Sequence, residues 1–323
     1  MEEGAGGARG GGAGCRVRVK MCTGLLATGE GGGAVLAFNR DEDFVRPTAA
    51  AEWREGVLAG WDQRGGGTWL GVSRSGRLAC LTNVRQVPAP AAAAGAPSRG
   101  GLPLLYLRQG GAPTEFLQGL VVRGLGGCAL ETLSGFNLLC CDLSTGESAL
   151  LSNRGPLAGH PQALAPGSVH GMSNGTPGTP EWAKVARGRR KLGAALAPGG
   201  VAGTLVEVGF GSQAGKPPGD GPLVAVLRDV LACREKAASQ EDLPATGMAA
   251  EVEMAMSSIF VEDDPDMCRR NLRCEHYGTR CSTVVAVSPE GTVTFLELRR
   301  EPDGTWAQER FDFCIEPQPR PGS

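Results

Sequence analysis

Long apolar runs are missing from these 323 residues. No stretch approaches the roughly eighteen residues of a membrane span, so the sequence predicts a chain with no transmembrane segment, soluble and cytoplasmic. An excess of one charge is missing too: 32 Lys and Arg stand against 34 Asp and Glu, a net charge of −2. That balance removes the electrostatic reason to expect nucleic acid or an anionic membrane as a partner. Histidine is scarce, with only His160, His170 and His276, none in the context of a papain-like Cys–His pair. Gly65-Gly66-Gly67-Thr68 lacks the Gly-Lys-Ser/Thr continuation of a phosphate loop and reads as a turn. The eleven cysteines are odd in number and scattered, unlike a secreted disulfide framework, and are expected as reduced thiols in the cytosol or an organelle. No internal repeat is visible.

What is present is a concentration of charge after an apolar run, Phe38-Asn39-Arg40-Asp41-Glu42-Asp43-Phe44-Val45-Arg46-Pro47, read as a turn. Upstream lie Met21-Cys22-Thr23-Gly24-Leu25 and the glycine loop Gly29-Glu30-Gly31-Gly32-Gly33. Together they predict a β-hairpin that returns Asn39-Arg40 to the side of Cys22. An arginine beside a thiol stabilises the thiolate and lowers its pKa, which makes a nucleophile. The plainer alternative is a small buried cysteine in an edge strand, with Arg40 and Asp41 a structural ion pair.

Residues 1–20 are glycine-rich with almost no apolar content and are expected to be disordered. They form either a removable extension or a stretch upstream of a true start at Met21. One domain is expected over 21–315, with loop insertions near 87–101, 197–221 and 235–250 and a disordered tail at 316–323. Further strands are predicted at 56–61, 68–73, 77–82, 136–143, 148–152, 168–173, 280–287, 292–298 and 306–313. Helical pieces are expected over 102–120, broken at Gly110-Gly111. Another helix runs from a Thr179 cap and Pro180 to about Leu192, ending in the solvated cations Arg187, Arg189, Arg190 and Lys191. Leu223, Val226, Leu227, Val230 and Leu231 make an amphipathic stripe. Strands, then helices, then strands suit an α+β fold of two antiparallel sheets covered by helices.

The Asn-Arg-Asp-Glu run, with Gly66-Gly67-Thr68-Trp69-Leu70-Gly71, Leu81-Thr82-Asn83, Gly135-Phe136-Asn137-Leu138, Asn153-Arg154-Gly155, Gly171-Met172-Ser173-Asn174 and Tyr277-Gly278-Thr279-Arg280, resembles the NRDE (transport and Golgi organisation) family in content and order. More distantly, Met21-Cys22-Thr23-Gly24-Leu25 resembles the cysteine-type N-terminal-nucleophile hydrolases that cleave bile-acid amides and penicillin. That resemblance implies an αββα sandwich with Cys22 as nucleophile and Arg40 as its charge partner. It further implies Asp41 orienting the α-amino group, Asn83 and Asn174 binding the oxyanion, and Arg280 closing the site. The amidases carry their aspartate where this chain has Asp43, so Asp41 and Asp43 compete for the role. An α-amino group, with a reference pKa of about 7.7–8.0, would serve as base without a histidine. Strand-end asparagines are also ordinary turn formers, and Arg280 is equally a salt-bridge partner for Asp41, Glu42 or Asp43.

The resemblance implies a role in Golgi organisation, secretion and lipid or haem homeostasis, with a pocket that acts on a small amide or thioester. The alternative is a non-enzymatic carrier that holds a lipid or haem in the same pocket, since a thiolate ligates haem iron. No Cys-Pro pair marks regulatory haem sensing, and haem enters as cargo, with no cofactor expected. Cys268, Cys274, His276 and Cys281 are spaced too loosely for a zinc module. The expected location is the cytoplasm, with the Golgi surface, mitochondrion and plastid as alternatives.

Overall fold

The hairpin is built from β1 (Met21–Thr28) and β2 (Ala34–Asp43), paired in the register that sets Cys22 opposite Arg40. Alternation of side chains along a strand then sorts its residues to two faces. Leu26, Leu36 and Phe38 enter one core, while Leu25, Val35 and Ala37 enter another. The run Ala34–Phe38 is uninterruptedly apolar because both faces are covered. This computed structural model describes residues 19–29, 33–86, 94–197 and 222–316. Residues 1–18 of the expected disordered extension, the tip of the hairpin turn (30–32), part of the first insertion (87–93), nearly all of the second (198–221) and residues 317–323 of the expected tail lie outside the described residues. The ends of the two segments are ordered instead, with Val19 buried and the Glu316 N–H donating to the Arg74 carbonyl at 2.8 Å.

One sheet has the order β10 (Val169–Met172), β1, β2, β11 (Tyr277–Val287), β12 (Thr292–Arg300), β13 (Trp306–Cys314). The other runs β3 (Thr48–Arg54), β4 (Val57–Asp62), β5 (Leu70–Ser73), β6 (Arg77–Asn83), β7 (Phe136–Asp142), β8 (Ser148–Ser152), β9 (Gln162–Leu164). All the pairings are antiparallel. Between the sheets lies a core that includes Leu26, Phe38, Leu58, Leu70, Cys80, Leu139 and Phe295. The outer face of the second sheet packs under α1 (Gly101–Gln109) and α2 (Pro113–Arg123) through Leu102, Tyr106, Phe116 and Leu120. The outer face of the first packs under α3 (Ala183–Leu196) and α4 (Pro222–Ala225) with its π-helical continuation Val226–Leu231. Helix, sheet, sheet, helix is the expected αββα order.

Several local expectations are corrected. The charged signature is no turn: Arg40 through Asp43 continue β2. β3, β9 and two short helices, α5 (Ala250–Ala255) and α6 (Pro265–Asn271), lie beyond what the pattern predicted. Thr179 does not cap α3; its hydroxyl donates to the Thr176 carbonyl at 2.6 Å, and the helix begins four residues later with Trp182 as N-cap residue. Arg187 is not a solvated cation: it is buried, donating to the carbonyls of Glu235 and Lys236. The Leu223–Leu231 stripe is buried as expected, but its second half widens into a π turn.

Candidate functional site

Alternation along β2 deals the signature out to two faces. Asn39 and Asp41 turn toward the helices, and Arg40 and Glu42 turn into the sandwich. The Asn39 amide donates to the Leu231 carbonyl at 2.8 Å and the Ile259 carbonyl at 3.0 Å, while its oxygen accepts from the Ser282 hydroxyl at 2.7 Å. It is a fastener between sheet and helix layer. On the inner face, Arg40 donates to Thr48 Oγ1 at 3.1 Å and lies 4.2 Å over the Trp69 ring. It also faces Glu42 at 3.6 Å, which continues through Arg46 to Asp62.

A cavity of about 70 Å³ opens at this end of the sandwich, lined in part by Cys22, Arg40, Asp41, Glu42, Trp69 and Asn83. Four of the six expected site residues, Cys22, Arg40, Asp41 and Asn83, therefore border one cavity. Asp41 rather than Asp43 reaches it, since Asp43 is partly exposed and accepts from the Val45 N–H at 3.1 Å. Asn174 sits just behind: its amide donates to the carbonyls of Lys20 (3.1 Å) and Asn83 (2.6 Å), so both amide hydrogens are in use. Arg280 stands apart. It falls at a bulge in β11, where the register jumps between Thr279 and Cys281, and its guanidinium donates to the Asp43 and Arg46 carbonyls. The bulge re-aims the side chain. A salt bridge to Asp41, Glu42 or Asp43 is not what it makes.

The electrostatics reverse one expectation. Burial, and next Asp41, push the Cys22 thiol far above the usual range, while Arg40 and the Asp41 N–H pull it down by less. Desolvation outweighs one cation because a thiolate without water loses most of its stabilisation. Asp41 is itself raised, chiefly by burial and against the pull of Lys184, Thr279 and Arg40. Its Oδ1 accepts from the Thr279 hydroxyl at 2.7 Å, whereas Oδ2 has no hydrogen-bond partner among the described residues.

Sequence reasoning passed over three groups. Lys184 is buried, donates to the Met256 carbonyl at 3.3 Å and is brought down to about 8, mainly by burial. Its signal was a lone lysine between Trp182 and Val185 at a helix start. Arg99, assigned to a solvated insertion, lines the cavity with Ser98 and Gly100 and is lowered to about 10 by burial. Lys20, assigned to the extension, lines it as well and is lowered, first by burial. Of the four residues weighed for zinc, Cys268 and Cys274 lie together, but Cys281 lies in the inter-sheet core and His276 Nδ1 bonds Asp263 at 2.7 Å.

A family model described as Transport and Golgi organisation 2 matches residues 21–302. The Transport and Golgi organization protein 2 homolog of Homo sapiens is 31% identical over 293 residues, covering 87% of this chain and 92% of that protein. The Bos taurus homolog is 33% identical over 272 residues, covering 81% and 85%. Among solved structures, a mutant conjugated bile acid hydrolase from Clostridium perfringens aligns with a TM-score of 0.39 at 12% identity, covering 90% of this chain and 92% of that one.

Proposed function

This chain belongs to the Transport and Golgi organisation 2 family, and from the geometry of its cavity we propose a hydrolase of a small amide or thioester. In this reading Cys22 is the nucleophile, latent while β1 continues back through Met21 and active once Cys22 is the first residue. The observation that carries the reading is the buried, unpartnered Oδ2 of Asp41, in the residue directly opposite Met21. A buried carboxylate oxygen left without a donor is costly. An α-amino group at Cys22 would supply the donor.

Loss of residues 1–21 has two further consequences at the site. It removes the Lys20 carbonyl and so frees an N–H of Asn174 beside Asn83, giving the oxyanion its donors. It also opens the cavity wall formed by Lys20 and Met21, admitting the water that Cys22 now lacks. The amine takes the thiol proton, Arg40 steadies the thiolate, and the sulfur attacks the carbonyl. The C–N or C–S bond of the adduct then breaks, the departing amine or thiol takes that proton from the ammonium, and water hydrolyses the acyl-enzyme to acid and free thiol. Arg280 has no part in this scheme.

A second reading is favoured by the strongly raised Cys22 thiol of the uncut strand: a carrier of haem or a lipid that keeps residues 19–21 and never uses Cys22 as a nucleophile. The cavity of about 70 Å³ would have to widen for either cargo. The family's name supplies the physiological setting for both readings, organisation of the Golgi and the secretory traffic through it. The compartment belongs with that proposal. Among the described residues no helix is long and apolar enough to cross a membrane.

The test is intact-mass analysis and N-terminal sequencing of the protein from its own cells, followed by exposure to a short-chain acyl thioester. A chain starting at Cys22 that gains the acyl mass on Cys22, and loses that gain in Cys22→Ala, supports the hydrolase. A chain that retains Lys20-Met21 refutes it and leaves the carrier.

A further inference from the structure

α6 and the five residues that follow it hold a pair of thiols that the proposed site does not use. Cys268, fully buried in α6, is in side-chain hydrogen-bond contact with Cys274, a half-buried residue of the loop leading into β11. We propose that Cys268 and Cys274 are an oxidation site, forming a reversible intramolecular disulfide when the protein meets hydrogen peroxide.

Three features separate this pair from the cluster of Cys80, Cys140 and Cys141. The first is contact: sulfurs already hydrogen-bonded need only a small shift to reach the bonding distance of about 2.05 Å. Cys274 sits in a loop whose neighbours Arg273 and Glu275 are partly or fully exposed, so the backbone there can follow. The second is protonation. The hydrogen bond from Cys274 favours the thiolate of Cys268 over the opposing effect of burial, and the same bond, with burial, raises Cys274. One proton is thus shared between two sulfurs, and the bond eases formation of a thiolate on the pair. The third is access. Cys80, Cys140 and Cys141 also lie near one another, but all are buried and burial drives their thiols up, Cys141 to about 12. They stay protonated and out of reach.

The chemistry closes without another reagent. The hydrogen bond places the thiolate on buried Cys268, but only Cys274 is reached from solvent. The shared proton passes to Cys268, and Cys274, as the minor thiolate form of the pair, attacks peroxide. A sulfur–oxygen bond forms, the oxygen–oxygen bond breaks, and hydroxide leaves. Cys268 sulfur then attacks the sulfenic sulfur of Cys274. The disulfide forms, the sulfur–oxygen bond breaks, and the departing hydroxyl leaves as water with the Cys268 proton. The hydroxide takes up the proton released when the pair first ionised, so in sum two thiols and one peroxide become a disulfide and two waters.

The position gives the bond something to act on. Cys268 and Cys274 belong to the cluster that packs Val19 and Met21 against Val252, Met256 and Tyr277. The Tyr277 hydroxyl donates to the Asp41 carbonyl at 3.0 Å. A covalent link from α6 to the start of β11 therefore clamps the packing behind the residues that precede Cys22.

The experiment uses the full chain, reduced and then exposed to a small excess of hydrogen peroxide, blocked with iodoacetamide and digested with trypsin. The expected product joins the peptide ending at Arg269 to the peptide from Cys274 to Arg280, and dithiothreitol separates it. In Cys268→Ser the link is lost and dimedone labels Cys274, whose sulfenic acid no longer has a partner. The proposal is overturned if wild-type Cys268 and Cys274 stay open to alkylation while Cys314, which is exposed, is oxidised. It is also overturned if dimedone labels Cys274 equally in wild type and Cys268→Ser.

Discussion

Replacing Glu297 by glutamine is expected to flatten the pH dependence of stability between mildly acidic and mildly alkaline conditions. Glu297 lies on the inter-sheet face of β12, 1% exposed, with Oε1 accepting from the Ala51 N–H at 3.1 Å and Oε2 from the Thr283 hydroxyl at 3.3 Å. Burial raises its carboxyl from 4.5 to about 7, against the smaller pull of those two hydrogen bonds and of Arg299 and Arg40. The folded state holds its proton more tightly than the unfolded chain does. Stability from this group is therefore fully present below pH 4.5 and declines as pH rises toward and through 7. At about 1.36 kcal/mol per unit, the difference amounts to about 3 kcal/mol. Glutamine is isosteric and uncharged, and its oxygen still accepts from Ala51 while its amide faces the Thr283 oxygen. Urea unfolding from pH 5.5 to 8.5 would give a wild-type midpoint that falls with pH and a Glu297→Gln midpoint that holds. Parallel profiles for the two proteins would refute the assignment of the proton to Glu297.

Lys184 carries the opposite sign. Its folded value of about 8 lies below the ordinary 10.5, so the unfolded chain binds the extra proton between those values and stability climbs with pH there. Lys184→Met should abolish that climb in the same unfolding series run from pH 7.5 to 9.5. Asn39→Ala strips the Leu231 and Ile259 carbonyls of their buried donor, at a cost of roughly 2–4 kcal/mol read as a lowered denaturation midpoint. Gly60→Ala would set a Cβ 2.4 Å from the Trp69 ring, an overpacking penalty of about 1–3 kcal/mol that displaces the ring from under Arg40 and shifts tryptophan fluorescence.

How much of this was legible depends on whether a residue's surroundings are local in sequence. The hairpin was, because a glycine loop between two apolar segments has one short-range solution, and its register then brought Arg40 opposite Cys22. The broken helix at Gly110-Gly111 and the buried Leu223–Leu231 stripe were legible for the same reason. Lys184 and Arg187 were not. Each is buried by segments far along the chain, the Met256 carbonyl for one and the Glu235 and Lys236 carbonyls for the other, and a cation on a helix looks solvated until those carbonyls are found. The direction of the Arg280 side chain was not legible for a subtler reason: a single-residue bulge leaves no mark on the hydrophobic pattern but changes which way the side chain points.

The signature itself was misread in a way that explains its composition. As a turn, Asn39-Arg40-Asp41-Glu42 would be four solvated polar residues with no need of particular identities. As the end of a strand covered on both faces, each residue must satisfy its own polar atoms inside the protein, and each does so differently. Asn39 has the two donors and one acceptor that a π turn, a loop carbonyl and Ser282 require. Arg40 has a planar cation that can both stack on Trp69 and bond Thr48. Glu42 balances Arg40 and Arg46. Asp41 alone is left with an oxygen unpaired. A buried polar network tolerates such a gap poorly, and this one, opposite Met21 and one register position from Cys22, is the gap that the proposed α-amino group at Cys22 would fill.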